Sequence, residues 1–526
     1  MSHELLCKLL NAGIGHAQTM RKTELLGSGM SWHTAGMKAL FALACIALTG
    51  IVIADPLPRA SPESQGVASS ALDTVFKKLS EIDAVHSTMI VRHGQVIAEG
   101  WWQPYTAQRR HKLYSLSKSF TSTAVGMAIA EGKLSLDDTV VSFFPEHAPA
   151  SPSYHLKNMR IRDLLSMSTG HVGSDLQKFS FAESDGPLAK AFLHLPVAHK
   201  PGTHFLYNTP ATYMCSAIVQ RVTGKTAHDY LKARLFPQLG IEDSHWETCP
   251  ERVSLGGYGL NVKTEDIAKL GQLYLQKGEW RGQRLLPADW VAAATARQTS
   301  NGSNPNNDWD QGYGYQFWRC RYNAYRGDGA FGQFCLVLPD QDTVVAITSG
   351  TSDMQGVMNV IWEYLLPALA PVAIPENAKA QSALSTYLSN LKLPNLKGNP
   401  MDQQVAPFLN KRYQFAENSH GVEELIFVQK DGRAQLAFRM KGKAASMQDL
   451  GLALNTRLDP QSSAKTVSQA AWSSPETLIY RTYYTRTPYT LTLHITFKDN
   501  RISLQPEWNV AFGPKKLTPL KGTLTQ

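Results

Sequence analysis

The sequence predicts an α/β (α+β) domain whose sheet joins its two chain ends, followed by a small all-β domain. Three observations lead there. Strand-like alternation opens and closes residues 55–370, helical spacing fills the middle of that segment, and a second alternating pattern, without helices, runs from 408 to 526. At 526 residues the chain is long enough for two domains with a sizeable core.

Residues 39–54, ALFALACIALTGIVIA, form an apolar run preceded by Lys38 and ended by Val52-Ile53-Ala54, which reads as an export signal over residues 1–54. The run is short for a spanning helix, so a mature chain beginning near Asp55 and holding no stable membrane span is expected, in the periplasm or outside the cell. The residues before Met37 have no evident role, and Met37 would itself open a compact signal.

Segment 87–102 reads as two strands about the turn His93-Gly94. After it, SKSFTSTAVGMAIAEG places Phe120, Ala124, Met127 and Ala128 at helical spacing and stops at Gly132, a buried helix with Ser115 at its start. Further helices are predicted over 160–167, 210–223, 264–277, 287–297 and 353–366. Strands fill 313–349, with a turn at Pro339-Asp340. The proline-rich stretch 371–407 reads as a linker with one short helix near 377–392, and the β domain beyond it carries hairpin signals at Asp431-Gly432 and Asp499-Asn500.

The formal net charge is +9, but Lys and Arg alternate with acids instead of forming a basic stripe, which argues against a nucleic-acid partner. The 16 histidines show neither HExxH nor a Cys/His cluster, so no metal is implied. Cys215, Cys249, Cys320 and Cys335 read as buried thiols, with a Cys320–Cys335 bridge as the alternative. Gly327-Asp328-Gly329-Ala330-Phe331-Gly332 mimics a dinucleotide fingerprint, yet a strand follows where a helix is required, and no cofactor is expected. Arg162-Asp163-Leu164 lacks the His and Asn of a kinase catalytic loop, and no G-x-S-x-G elbow occurs.

Ser115-Leu116-Ser117-Lys118 fits S-x-x-K. Residues three apart share a helix face, so the Lys118 amine can lie against the Ser115 hydroxyl and act as its base if burial lowers its pKa. Tyr207 stands immediately before a second helix, where a nearby lysine would depress its phenol pKa and let it pass protons. Glycines in the 327–332 strand segment allow a ligand close to the backbone.

Taken together, SLSK, IRDLLSMSTGH, PGTHFLYNTPATY, GGYGLNVKTEDIAKLGQLYLQKGEWRGQRLLP and GDGAFGQ resemble, in order, the β-lactamase-related serine hydrolases, a family of class C β-lactamases, D-alanyl-D-alanine carboxypeptidases, esterases and nylon-oligomer amidases. The resemblance implies an antiparallel sheet flanked by helices and an acyl-enzyme on Ser115. Lys118 and Tyr207 would exchange protons, and the backbone N–H groups of Ser115 and Ala330 would form the oxyanion hole. Two departures shape the expected substrate. In the motif that Tyr207 opens, Asn208 is second where the family commonly has Asn third, and Thr209 is third. Gly327 and Asp328 replace a Lys or His followed by Thr, so the anchor for a substrate carboxylate is missing. Asn208, Asp328 and Gly329 remain to meet a small ester, amide or peptide, with simple esters favoured over β-lactams. Strand alternation leaves open whether Asp328 faces the cleft or the outside. The alternatives are a D-alanyl-D-amino-acid peptidase or amidase and, from a different class, a non-catalytic ligand-binding or sensory relative.

Overall fold

The computed structural model describes residues 56–181, 186–400, 406–430, 433–442, 446–449 and 466–525. The apolar run at 39–54 and the Asp431-Gly432 turn lie outside these residues.

The first helix, α1 (Ser69–Glu81), buries Leu72, Val75, Phe76 and Leu79, a stripe at i, i+3, i+4 and i+7 to which the sequence reading assigns no element. Strands β1 (Val85–Arg92) and β2 (Gln95–Trp101) form the expected hairpin. His93 and Gly94 turn it with positive φ at both positions, the backbone that a two-residue hairpin needs.

Helix α2 (Ser117–Ala130) is buried on every side over its first three turns, so its own polar side chains must find partners inside the protein. Thr121 Oγ1 donates to the Gly256 carbonyl at 2.9 Å, Ser122 Oγ donates to Tyr315 O at 2.7 Å, and Ser117 Oγ accepts from the Leu260 N–H at 3.1 Å. Helix α3 (Thr209–Thr223) packs against α2 and ends at Gly224 in the left-handed region; α4 (Thr264–Leu275) lies on the sheet.

Strands β3 (Trp318–Arg319), β4 (Tyr325–Gly329), β5 (Gln333–Leu338) and β6 (Thr343–Ser349) complete a six-stranded antiparallel sheet in the order β2-β1-β6-β5-β4-β3. Its two chain ends do meet, since β1 pairs with β6. One face buries Met89, Val91, Val337, Val344 and Ala346 against α2, α3 and α4. The other buries Ile90, Phe334, Leu336, Val345 and Ile347 against α1 and α5 (Met354–Val360). Both faces are covered, which is why these strands read as continuous apolar runs.

The proline-rich stretch holds α6 (Ala378–Ser389), which packs on α1 and β2 through Leu384 and Leu388. It is therefore laid along the first domain for much of its length. Gln103 exchanges backbone hydrogen bonds of 3.0 Å with Leu391 and Leu393 there.

The C-terminal domain is a separate half-barrel that holds, among the described residues, ten antiparallel strands: β7 (Asn399–Pro400), β8 (Arg412–Phe415), β9 (Val422–Lys430), β10 (Arg433–Met440), β11 (Ser446–Asp449), β12 (Thr466–Ser474), β13 (Thr477–Tyr484), β14 (Thr490–Lys498), β15 (Arg501–Trp508) and β16 (Leu520–Leu524). They run in the order β7-β12-β13-β14-β15-β16-β8-β9-β10-β11 around an aromatic core that includes Tyr413, Trp472 and Phe497. The Asp499-Asn500 turn joins β14 to β15, with Lys498 paired to Arg501.

All four described cysteines are buried and unbridged. The alternative of a Cys320–Cys335 bridge is corrected on this point: Cys320 Sγ accepts from Arg326 Nη1, while Cys335 faces the Ile267 carbonyl of α4.

Candidate active site

Tyr114 has φ +49, which bends the chain into a 3₁₀ turn, Tyr114–Leu116, that runs directly into α2. Ser115 lies in that turn, and one helical turn later Lys118 brings its Nζ within 3.1 Å of Ser115 Oγ. Lys118 is 1% exposed, and burial pushes its pKa down to about 7 against a smaller opposing pull from the Asp328 carboxylate. Its amine also donates to the Gly257 carbonyl at 2.8 Å and meets Thr209 Oγ1 at 3.1 Å. A neutral amine has two N–H donors and one lone pair. With the donors on Gly257 and Thr209, the lone pair is left for the Ser115 hydroxyl.

Tyr207 is held in the segment before α3, stacked on Trp318 with ring centroids 5.3 Å apart, and its hydroxyl reaches Ser115. Lys118 lies 4.9 Å above the ring centroid. Burial raises the phenol pKa and outweighs the Ser115 hydrogen bond. The expectation that the lysine depresses it is therefore corrected: Tyr207 is a neutral O–H donor at neutral pH.

Asn208 is fully buried and caps α3, its Oδ1 accepting from the Ala211 N–H at 3.0 Å while Nδ2 donates to Thr169 Oγ1 at 3.1 Å. Both ends of the amide are taken. The expectation of Asn208 as a substrate contact is corrected to a capping role, and Thr209, one residue on, is the side chain that reaches Lys118.

Strand β4 runs beside the nucleophile turn. A Cβ on Gly329 would stand 2.0 Å from the Leu113 carbonyl, and one on Gly327 would stand 2.2 Å from Leu116 Cδ1 and 2.7 Å from Ser119 Oγ. Gly327 thus faces α2, and no lysine fits there while the helix keeps its place. Asp328 faces the other way, inward behind Tyr207, where Arg326 Nε donates to its Oδ2 at 2.8 Å. Arg326 is fully buried, with its guanidinium 4.6 Å above the Trp309 ring. After Gly329 the chain turns through Ala330, whose carbonyl accepts from Gln333 Nε2 at 3.1 Å.

The sequence reading missed Thr209, the Gly257 carbonyl, Arg326, Trp309 and Trp318. Only Gly257 left a local signal: in GGYG a Cβ there would fall 2.6 Å from Thr209 Cγ2, so glycine lets the carbonyl approach the amine. Among the described residues no cluster of three or more His, Cys, Asp or Glu side chains is placed to hold a metal.

Set against known proteins, residues 72–369 match the family model described as Beta-lactamase. A 6-aminohexanoate-dimer hydrolase of Paenarthrobacter ureafaciens is 25% identical over 316 residues, 56% of this chain and 80% of that protein. A lovastatin esterase of Penicillium rubens is 26% identical over 211 residues, 35% of this chain and about half, 51%, of that protein. A solved structure assigned as a 6-aminohexanoate-dimer hydrolase from Bacillus anthracis shares the fold at TM-score 0.51 and 20% identity, over 62% of this chain and 90% of that one.

Proposed function

The chain belongs to the beta-lactamase family of serine hydrolases, which has amidase, esterase and peptidase members, and from that premise we propose that it cleaves small esters through an acyl-enzyme on Ser115. The observation that carries this reading is the approach of a buried amine with pKa about 7 to within 3.1 Å of the serine oxygen.

In this mechanism Lys118 takes the Ser115 proton as Oγ bonds to the substrate carbonyl carbon. The carbonyl oxygen becomes an oxyanion held by the Ser115 and Ala330 N–H groups. Collapse breaks the bond to the leaving oxygen, which receives the Tyr207 proton, and Lys118 returns its proton to Tyr207. Water then releases the acid by the same steps in reverse order: its proton passes to Tyr207 as Tyr207 gives its own to Lys118, and Lys118 returns a proton to Ser115 Oγ as the acyl bond breaks.

Esters are favoured over β-lactams because no cation stands at position 327 to hold a substrate carboxylate. A charge-assisted hydrogen bond contributes about 1.5–3 kcal/mol, so its loss lowers capture of an anionic substrate by roughly 10- to 100-fold. A second reading, hydrolysis of linear amides, is supported by the similarity to the 6-aminohexanoate-dimer hydrolase. We also propose export with cleavage near Asp55, supported by the apolar run at 39–54. Among the described residues no helix is long and apolar enough to cross a membrane.

The test compares kcat/KM for a neutral aryl ester, a linear amide and a penicillin, alongside labelling by a fluorophosphonate. One label that disappears in Ser115→Ala, with the ester turned over at least tenfold better than the penicillin, is the expected result. Labelling that survives in Ser115→Ala overturns the nucleophile, and equal efficiency on ester and penicillin overturns the substrate preference.

A further inference from the structure

The two residues that flank the oxyanion hole in the chain are aromatic: Tyr114 precedes Ser115 and Phe331 follows Ala330. Both pack against the C-terminal domain. Tyr114 and Phe331 meet edge-on at 5.5 Å, and Tyr489 at the start of β14 lies 6.3 Å from Tyr114 and 5.9 Å from Phe331. The hydroxyls of Tyr114 and Tyr489 hydrogen-bond to each other at 2.5 Å, so each satisfies the other and the wall presents rings.

Phe512 stands in the loop between β15 and β16, 5.6 Å from Tyr114 and 4.8 Å from Phe331 between ring centroids, yet it remains 60% exposed. Packing between the domains does not require it, because Phe331 and Tyr489 already close that contact at 8% and 5% exposure. Just upstream, Asn509 Nδ2 ties the loop to the first domain by donating to Gly350 O at 2.7 Å, and it also donates to Pro488 O, between β13 and β14, at 2.9 Å. An exposed aromatic held against the residue that precedes the nucleophile marks an apolar contact waiting for a ligand.

We propose that Tyr114 and Phe512, backed by the buried rings of Phe331 and Tyr489, form the acyl subsite of this enzyme, a wall for an aromatic or medium-chain acyl group that the C-terminal domain completes through Phe512. The inference rests on the acyl-enzyme reading above. Attack by Ser115 leaves the carbonyl carbon with three other substituents. The oxyanion points to the Ser115 and Ala330 N–H groups, and the leaving oxygen must face Tyr207, its proton source, on the Trp318 side of the serine. The acyl chain takes the remaining direction, past the residues that flank the hole.

The experiment measures kcat/KM for p-nitrophenyl acetate, butyrate, octanoate and phenylacetate on the full chain, its Phe512→Ala and Phe512→Leu variants and, as a control remote from the site, Tyr154→Ala, which changes another exposed aromatic, 75% exposed. A fluorophosphonate titrates active sites in each. Wild type should prefer phenylacetate and octanoate to acetate by about tenfold. Phe512→Ala should lose about tenfold on those two and stay within about twofold on acetate, and Phe512→Leu should keep the octanoate preference while losing that for phenylacetate. Equal losses on all four esters, or none on the larger two, overturn the subsite alone. Absence of both labelling and turnover overturns the acyl-enzyme reading and the subsite with it.

Discussion

Lys118 is the residue on which the chemistry turns, and its environment fixes the sign of the pH response. Burial favours the neutral amine, which is the form able to accept the Ser115 proton. Below about pH 7 the amine holds its own proton, so kcat/KM should fall about tenfold per pH unit on the acid side of a midpoint near 7. Asp328 pulls the other way by stabilising the ammonium. Asp328→Asn should therefore move the acid limb to lower pH, and a limb that stays in place would show that the carboxylate does not act on the amine. The same change leaves Arg326 buried without its ion pair, and breaking a pair of that kind costs about 3–5 kcal/mol, readable as a lower melting temperature. Serine and lysine work as a unit, so Lys118→Ala should cost nearly as much turnover as Ser115→Ala, and Tyr207→Phe about 10²- to 10⁴-fold.

At the scale of elements, the site is the meeting of one helix start, one helix cap and one glycine-bearing strand, β4, next to the edge of the sheet. Asn208→Ala removes the α3 cap and should cost about 0.5–2 kcal/mol in urea unfolding; because Tyr207 and Thr209 flank the cap, turnover should drop as well. Stability lost with turnover intact would mean that the cap does not position them. Gly329→Ala sets a Cβ 2.0 Å from Leu113 O, so the strand must move away from the nucleophile turn, with kcat falling more than affinity. These contacts explain what the sequence made legible. Helices α2, α3 and α4 and the β1–β2 hairpin followed from spacing, caps and a His-Gly turn, because their signals are local. Residues Leu72 to Leu79 carry an equally plain stripe, so α1 was within reach. The facing of Gly327 and Asp328 was not, because β4 is a five-residue strand with two glycines and no apolar alternation to set its register. The contact of Tyr114 with Tyr489 joins residues 375 positions apart, and no local pattern records such a pair.

For the whole molecule, the junction of the two domains runs through the short strand His111–Lys112 that leads into the nucleophile turn, and that junction contains a buried histidine pair. The Lys112 N–H donates to Arg486 O at 2.9 Å across it, and beneath lie His86 and His111, with His86 Nδ1 3.1 Å from His111 Nε2 and Tyr105 stacked on His86 at 3.6 Å. The Lys112 carbonyl can only accept, so His111 Nδ1, 3.1 Å away, carries a proton. His111 Nε2 is then the acceptor and His86 Nδ1–H its donor, which makes both rings neutral. Burial holds His111 down at about 4 and His86 well below its ordinary value. A proton added to His111 Nε2 would face the His86 N–H in a buried site, and burial outweighs the pull of the Lys112 and Thr487 carbonyls. The unfolded chain binds that proton readily below about pH 6.5, whereas the folded chain resists it until about pH 4, so stability is full above 6.5 and falls as pH drops through this window. One group with this displacement accounts for about 3 kcal/mol across the window, and the depressed His171 and His228 act with the same sign elsewhere in the first domain. Melting temperatures measured from pH 7 to pH 4 should decline in wild type, and His111→Gln, which cannot titrate, should start lower at pH 7 yet decline less steeply. An identical slope in the variant would place the acid sensitivity outside the junction. Because His111 lies four residues before Ser115, ester turnover should be lost along with the junction as the acid transition proceeds, with a dependence on pH steeper than Lys118 alone would give.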